Sequence, residues 1–457
     1  MIALRDALSA AEYTTDVIPS FSGDDPVLRT RYRIGTAGAG ALAALGCAVA
    51  DLHVLRGGAP QSVRVNLRAA AASLRSARYL RVDGKAPPVW DPLSGFYPVR
   101  DGWISIHCNF PNHREAALGV LGAPPERQAA EEKTAGWEGE ALEDAIHGAG
   151  GCAGFVRTEA HWSAHPQARA VATQPVVKIT HIGAAPPQSL ARHDRPLGGV
   201  RVLDLTRVLA GPTCARSLAE HGADVLKISA AHLPDSGAVE LDTGIGKLSA
   251  RLDLRDEEER NSLKSLIREA DVFSQSYRPG ALAARGFAPE ALAELRPGIV
   301  CVSLSAWGTS GPWAARRGFD SIVQSVSGMA AASGVAGKPA LMPVSAIDYV
   351  SGYLMALGAV VALHRRAREG GSWHVQVGLA RVGQWIVDRG VLPESEWRRA
   401  PLELPPEELE SLLGEMDSPA GRIRFLKPVL ELSATPAYWR RPPVPLGTHA
   451  AAWPDIG

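Results

Sequence analysis

At 457 residues the chain is long enough for two or three domains, and its 48 basic and 48 acidic side chains leave no net charge. This balance gives no electrostatic signal for binding nucleic acid or an anionic membrane surface. Five dispersed cysteines without a CxxC pair argue against a disulfide framework or zinc site and favour a reducing cytoplasm. The first residues include Arg5 and Asp6 and have no apolar run, so no signal peptide is predicted.

One sequence pattern occurs twice in the chain. After an irregular, polar start at 1–33, residues 36–58 predict a small-residue helix that leads into an alternating strand at 62–67. Residues 349–368 predict a second apolar helix with a cationic end. Without a gap, Gly46 matches Gly358 at an offset of 312 positions (358 − 46). We therefore expect one helix–strand unit in two copies that pack together in a pseudo-symmetric core.

The middle of the chain predicts a small module followed by a larger alternating one. Residues 79–122 read as two short strands and a helix, with further helices at 140–148 and 157–170. A Pro- and Ala-rich stretch at 183–196 is the predicted boundary. Beyond it, strands alternate with helices, which predicts a parallel, Rossmann-like sheet that binds ligands beyond the carboxyl ends of its strands.

These patterns divide the chain into four predicted regions. Residues 1–80 hold the first copy of the repeat and belong to the large domain, and 81–190 form a small α/β domain. Residues 195–390 form the Rossmann-like domain. The Pro- and Glu-rich tail, 391–457, is expected to be irregular apart from a helix at 406–416.

Asp348 is the candidate chemical residue because it lies directly before the uncharged helix at 349–363. At an N-cap its carboxylate would accept from free N–H groups and lie at the positive end of the helix dipole, which keeps a nucleophile ionised. A purely structural cap is the alternative. The apolar helix predicts a buried N-terminus, and Ser345, Ala346 and Gly352 leave room for a ligand.

Several familiar motifs fail in this chain. The stretch 242–247 lacks the first glycine of a phosphate loop and has no second Asp-Thr-Gly triplet for a protease dyad. No GxGxxG follows a predicted strand, so a nicotinamide site is not expected. His161 and His165 share a helix face without a third ligand, which favours a solvated pair over a metal site. Arginines at predicted loop positions would suit a cofactor with phosphates: Arg207, Arg255, Arg278, Arg285 and Arg317.

Residues 196–379 resemble the large domain of the class III CoA-transferases, the CaiB/BaiF family. The resemblance rests on the segments 195–212, 220–228, 250–255, 270–287, 296–328 and 346–358, with PLGTH at 445–449. GFYPVRDGW at 95–103 and AHPQARA at 164–170 resemble the small domain of the family. The small-domain material precedes the Rossmann part, so the domain order is rearranged and partly duplicated.

The resemblance implies a Rossmann-like, CoA-binding large domain with a smaller α/β domain, and an acyl-CoA:carboxylate CoA-transferase. Asp348 falls on the family's catalytic aspartate, which would carry a covalent aspartyl-CoA intermediate. Acyl-CoA and a carboxylic acid would be the substrates of a cytoplasmic homodimer, with no metal, nicotinamide, nucleic acid or membrane involved. The positions that fall on or beside CoA contacts are Arg207, Ala210, Lys247, Leu252, Arg255, Arg285 and Arg317.

Two alternatives share the resemblance. An α-methylacyl-CoA racemase would need a histidine where this chain has Phe319, which cannot move a proton. A catalytically weak CoA-binding subunit would explain why Ser229 replaces a usual acidic residue and why residues 246–248 keep only the lysine of an Asn-Lys-Arg triplet. The retained Asp348 argues against that second alternative.

Overall fold

A computed structural model describes residues 1–234 and 237–454. The helices in chain order are α1 (Ile2–Ala10), α2 (Ile34–Leu55), α3 (Leu67–Ser73), α4 (Ser76–Tyr79), α5 (Pro111–Leu121), α6 (Arg127–Thr134), α7 (Gly139–Gly148), α8 (Glu159–Ala164), α9 (Pro166–Ala172), α10 (Ala210–Glu220), α11 (Ala238–Gly244), α12 (Glu257–Ile267), α13 (Pro289–Leu295), α14 (Asp320–Val326), α15 (Met329–Ser333), α16 (Ala346–Arg368), α17 (Leu379–Val387), α18 (Glu394–Trp397) and α19 (Pro406–Leu412). The strands are β1 (Ser20–Ser22), β2 (Val63–Asn66), β3 (Arg81–Val82), β4 (Gly95–Val99), β5 (Gly102–Ile106), β6 (Ala153–Phe155), β7 (Lys178–Gly183), β8 (Arg201–Leu205), β9 (Asp224–Ser229), β10 (Lys247–Arg251), β11 (Val272–Gln275), β12 (Val300–Ser305), β13 (Ser372–Gly378), β14 (Leu413–Ser418), β15 (Gly421–Leu426) and β16 (Leu430–Leu432).

The largest sheet has seven strands in the order β10-β9-β8-β11-β12-β13-β7. Neighbours from β10 to β13 pair in parallel, and β7 closes the edge antiparallel to β13. The predicted α/β fold with a mostly parallel sheet is therefore confirmed. Parallel strands are buried on both faces, which explains why most residues of β8 and β12 are buried and apolar.

The two copies of the repeat lie in one hydrophobic core. Buried side chains of α2 and α16 belong to the same apolar cluster, and a His364 ring nitrogen lies 3.1 Å from the Ala48 carbonyl oxygen. The strands of the two copies occupy different sheets, but their surroundings match. Strand β2 lies between parallel β1 and antiparallel β16, as β13 lies between parallel β12 and antiparallel β7.

Two glycines explain how each helix approaches its own strand. A Cβ atom at Gly358 would lie 2.4 Å from the Val375 side chain, and one at Gly46 would lie 2.8 Å from the Val63 side chain. Val63 and Val375 differ by the same 312 positions as the glycines (375 − 63). The helix–strand contact of the repeat therefore depends on an equivalent glycine–valine pair in each copy.

A smaller unit lies between the two copies in the chain. Strands β4, β5 and β6 form an antiparallel sheet that shares an apolar cluster with residues of α5, α6 and α7. The start of α5 faces the large sheet, and this places the unit beside the candidate site described below.

Three expectations for the ends of the chain are corrected. The predicted irregular start contains α1 and β1, and the tail contains β14, β15 and β16. The predicted helix at 406–416 stops at Leu412, because the next residues pair with β15 in a hairpin that joins β3. These short strands find partners far away in sequence, so local patterns do not reveal them. Residues 455–457 of the predicted tail lie outside the described residues.

Helices α2 and α16 are long and apolar enough to cross a membrane by length and composition alone. In the described structure, 83% of the most apolar window of α2 and 100% of that of α16 are buried inside the protein. Such burial is typical of core helices, as the sequence predicted.

Candidate active site

A cavity of about 810 Å³ lies between the large sheet and the small unit. The loop after β8, the loop after β12 and the first turn of α16 form one side, at the carboxyl ends of the parallel strands. The start of α5 forms the opposite side through Phe110 and His113. A second cavity of about 560 Å³ adjoins it, since both are lined by His232, Leu233 and Tyr277. Together they form a long site of the kind an extended cofactor requires.

Asp348 lines the first cavity, but it is not the N-cap that its sequence position suggests. Helix α16 begins at Ala346, so Asp348 lies within its first turn and Ser345 occupies the N-cap position. The carboxylate that caps this end of the helix belongs to Asp320, which accepts a hydrogen bond from the Asp348 amide at 3.1 Å. The predicted cap is therefore wrong, because a residue 28 positions upstream takes that role.

The ionisation of Asp348 also differs from the sequence-based expectation. Its side chain is 8% exposed, and none of the hydrogen bonds in the described residues reaches its carboxylate. Burial and then the charge of Asp320 raise the pKa of Asp348 well above the usual carboxyl value. Burial raises the pKa of Asp320 to about 6, against hydrogen bonds from Gln324 and from the Asp348 amide. Helix-end stabilisation of the Asp348 anion is thus outweighed by burial and by the charge of Asp320.

The predicted CoA-contact positions divide between the two cavities. Arg207, Ala210 and Arg317 line the first cavity with Asp348. The other three that reach a cavity line the second: Leu252, Arg255 and Arg285.

The arginines of the two cavities differ in whether their guanidinium groups already have hydrogen-bond or ion-pair partners within the protein. Arg207 donates to the Pro234 carbonyl at 2.6 Å, and Arg255 pairs with Asp253 at 2.5 Å. In the described part of the chain, the Arg317 guanidinium has no hydrogen-bond or ion-pair partner. The Arg278 guanidinium likewise has no partner in the described residues, so Arg317 and Arg278 are the predicted cations most available for an anionic ligand.

Lys247 does not reach either cavity. Its side chain is 2% exposed, and its ammonium group lies 2.7 Å from the Asp204 carboxylate and donates to the Pro212 carbonyl at 2.8 Å. Asp204 in turn accepts from the Thr206 amide at 2.9 Å. A buried carboxylate requires a partner, and Lys247 supplies one for Asp204. Because Asp204 bonds to Thr206, this pair supports the loop that carries Arg207. The assignment of Lys247 to cofactor contact is corrected accordingly.

The same loop holds a strained residue. Val208 has φ of 69°, a left-handed conformation that β-branched residues rarely adopt. The Arg207 amide donates to the Ser276 hydroxyl at 3.0 Å, and Lys227 donates to the Thr206 carbonyl at 3.0 Å. These two bonds fix the backbone directly before Val208, in the loop that presents Arg207 and Ala210 to the cavity.

Sequence reasoning missed the contribution of the small unit. Phe110 and His113 line the cavity, and the ring of His107 stacks on Phe319 with centroids 3.8 Å apart. Local sequence carried no signal for this, because the contact joins residues that lie far apart in the chain. Arg278, named among the loop arginines, also lines the first cavity.

Comparison with known proteins identifies the family to which the chain is similar. A model of CoA-transferase family III matches residues 10–193 and 197–403. The acetyl-coenzyme A transferase nodX of Hypoxylon pulicicidum is 35% identical over 46% of this chain and 37% of that protein. Succinyl-CoA--D-citramalate CoA-transferase of Chloroflexus aurantiacus is 34% identical over 45% of this chain and 54% of that protein.

Among solved structures, that of Rv3272 from Mycobacterium tuberculosis is 31% identical over 42% of this chain and 57% of that chain, with a TM-score of 0.40. The chain spans about half the length of the curated relatives it matches. The family match nevertheless extends over both the small unit and the Rossmann-like part. The protein therefore belongs to CoA-transferase family III.

Proposed function

We propose that the protein is an acyl-CoA:carboxylate CoA-transferase whose nucleophile is Asp348. The observation that carries the proposal is the buried Asp348 carboxylate, which opens into the first cavity without a hydrogen-bond partner in the described residues. A carboxylate held only for structure is normally satisfied by donors. One that is left free in a cavity also lined by Arg317 is suited, in its ionised form, to attack a bound acyl group.

The reaction divides one exchange into covalent steps. An Asp348 oxygen bonds to the acyl carbon of the donor, and the C–S bond breaks to give an anhydride and CoA thiolate. The thiolate attacks the Asp348 carboxyl carbon, which releases the donor acid and leaves an aspartyl-CoA thioester. The acceptor carboxylate then displaces the thiolate, and the thiolate attacks the acceptor acyl carbon to regenerate Asp348. No net proton is gained or lost.

The charges of the site suit these substrates. Four guanidinium groups line the first cavity, against the carboxylates of Glu115 and Asp348: Arg207, Arg278, Arg316 and Arg317. This cationic excess would attract the phosphates of acyl-CoA and the acceptor carboxylate. We place the nucleotide end of CoA in the second cavity, near Arg255 and Arg285, and the thioester in the first.

The relatives support an expected substrate class and no particular substrate: an acyl-CoA as the donor and a carboxylic acid as the acceptor. The homodimer and the cytoplasmic location implied by the resemblance stay predictions. The racemase alternative is disfavoured because the position that would need a catalytic histidine is Phe319, whose ring has no acid–base group. Phe319 is packed between His107 and His113.

Trapping the enzyme during turnover tests the proposal. The protein would be incubated with a panel of acyl-CoA donors and isotope-labelled carboxylic acids, and CoA esters of the labelled acids would be measured. Borohydride or hydroxylamine added during turnover should modify Asp348, as read by peptide mass spectrometry. Asp388→Asn, which removes a carboxylate far from the cavity lining, is the matched control for Asp348→Asn.

Transfer by wild type and Asp388→Asn, with loss in Asp348→Asn, is the expected result. Full transfer by Asp348→Asn would refute the nucleophile. Stereochemical inversion of a 2-methylacyl-CoA without transfer would favour the racemase. CoA binding without any turnover would favour a binding subunit.

A further inference from the structure

The proposed reaction requires a donor for the negative oxygen that forms when Asp348 attacks a thioester. The N-terminus of α16 is the obvious source, but several amides around it are already engaged. The Asp348 amide donates to Asp320 at 3.1 Å, and the Ser345 amide donates to the Leu74 carbonyl at 2.9 Å. The Tyr349 amide bonds the Ser345 carbonyl at 3.1 Å. A donor on another part of the cavity wall would therefore complete the stabilisation of that oxygen.

His113 is a buried polar group that the proposed mechanism has not yet used. It belongs to the first turn of α5, is 7% exposed and lines the cavity that contains Asp348. Its Nδ1 is fully buried without a hydrogen-bond partner. The other ring nitrogen, Nε2, also makes no hydrogen bond in the described residues, and it is the nitrogen that is not fully buried and can meet a ligand. Buried side-chain nitrogens are normally satisfied, so a missing partner at a cavity wall points to a ligand atom.

Neighbouring rings fix the orientation of His113. Phe110 and Phe319 approach it edge to face, with centroids 5.5 and 5.8 Å away and interplanar angles of 80° and 64°. His107 lies 6.2 Å away at 67°. Phe319 directly precedes Asp320, whose carboxylate holds the Asp348 amide. A short chain of contacts thus ties the imidazole to the helix that carries the predicted nucleophile.

The charge state of His113 suits a hydrogen-bond donor. Burial, followed by the positive charges of Arg317 and Arg207, lowers the pKa of His113 to about 4. Nearby His147 acts in the same direction. At neutral pH the ring is therefore neutral and presents one N–H group and one acceptor nitrogen. Such a group can stabilise an oxyanion without transferring its proton.

We propose that the His113 N–H group donates a hydrogen bond to the acyl oxygen of bound acyl-CoA and stabilises the oxyanion that forms there. This role rests on the proposed function. The Asp348 oxygen bonds to the acyl carbon, and the C=O electron pair moves to the oxygen that accepts from His113. The pair then re-forms C=O as the C–S bond breaks and the thiolate leaves. The proton stays on His113 throughout.

Binding and turnover together test this assignment. Titration calorimetry would compare acetyl-CoA with free CoA, which lacks the acyl oxygen, in Asp348→Asn protein with and without His113→Phe. We expect the second substitution to weaken acetyl-CoA binding by about tenfold and to leave CoA binding unchanged. With Asp348 intact, His113→Phe should lower kcat on the order of a hundredfold, while His113→Gln keeps an N–H group and should recover part of that loss.

An unchanged ratio of acetyl-CoA to CoA affinity, or equal weakening of both ligands, would overturn the assignment. Equal kcat values for the Gln and Phe variants would also overturn it, since a space-filling role does not require a donor. Deuterium incorporation from D₂O into the acyl α-carbon that is lost in His113→Phe would identify a base instead. If the wild type transfers CoA to no acceptor, the proposed function fails, while the binding comparison still decides the role of His113.

Discussion

The Asp320 carboxylate accepts the main-chain amide of Asp348 at 3.1 Å, and this contact has a counterpart in the first copy of the repeat. There the Asp25 carboxylate accepts the amides of Gly35 and Thr36 at 3.0 and 2.8 Å. Thr36 is the residue that aligns with Asp348 at the offset of 312. The capping carboxylate is thus present in both copies, whereas the predicted nucleophile is present in one. We therefore expect a single active site in each chain.

Asp348→Asn should change how stability depends on pH as well as abolish transfer. Burial and Asp320 raise the Asp348 pKa, so the folded protein holds this proton more tightly than the unfolded chain. That stabilisation is complete at acid pH below the ordinary carboxyl pKa and is lost as pH rises through the raised pKa. Asparagine stays neutral throughout.

Melting temperatures of the two proteins from pH 5 to pH 9 would measure this effect. The melting temperature of the variant should rise relative to that of the wild type as pH increases, and the difference should be largest at the alkaline end. A gap that is constant, or that narrows with rising pH, would contradict the raised pKa. Asp388→Asn again serves as the control and should follow the wild type.

The two capping carboxylates form a matched pair for mutagenesis. Asp320→Ala and Asp25→Ala each remove an acceptor from a helix N-terminus, so each should lower the free energy of unfolding by about 1 kcal/mol. Only Asp320→Ala should also reduce transfer, on the order of tenfold or more, because it frees the turn that holds Asp348. Urea unfolding and initial rates would be compared. Equal loss of transfer in both variants would mean that the effect is general destabilisation.

Replacing Arg317 or Arg255 by alanine should weaken CoA binding by about 1–3 kcal/mol each, as expected for a charge-assisted hydrogen bond. Arg317 should show the larger loss, since Arg255 already pairs with Asp253. Arg64→Ala, which removes an exposed arginine paired with Glu431, is the control. Calorimetric titration with CoA measures all three. Unchanged affinity in both cavity variants would reject the proposed placement of CoA along the two cavities.

Lys247→Met should destabilise the fold without a direct effect on the cofactor. The substitution leaves the Asp204 carboxylate buried and unpaired by Lys247, which costs about 3–5 kcal/mol. Lys247→Arg retains the charge and should lose less. CoA titration at a temperature where Lys247→Met is still folded should give nearly wild-type affinity. A large loss of affinity in a fully folded variant would restore Lys247 to the list of cofactor contacts.

The sequence predicted elements that show a local apolar pattern, and it missed contacts between polar residues that lie far apart in the chain. Strands such as β8 and β12 are mostly apolar in the sequence, and α16 shows its charged end and its apolar length in the sequence itself. The acceptor at its N-terminus comes from Asp320, and the opposite wall of the cavity comes from His113; both contacts require the folded chain. Lys247 was misplaced for a related reason, because a motif position does not reveal that Asp204 lies 2.7 Å away.

One polypeptide supplies both walls of the cavity, Phe110 and His113 on one side and Arg207 and Asp348 on the other. A single chain therefore carries the predicted nucleophile together with the wall that faces it, and the contacts that bring these residues together are intramolecular.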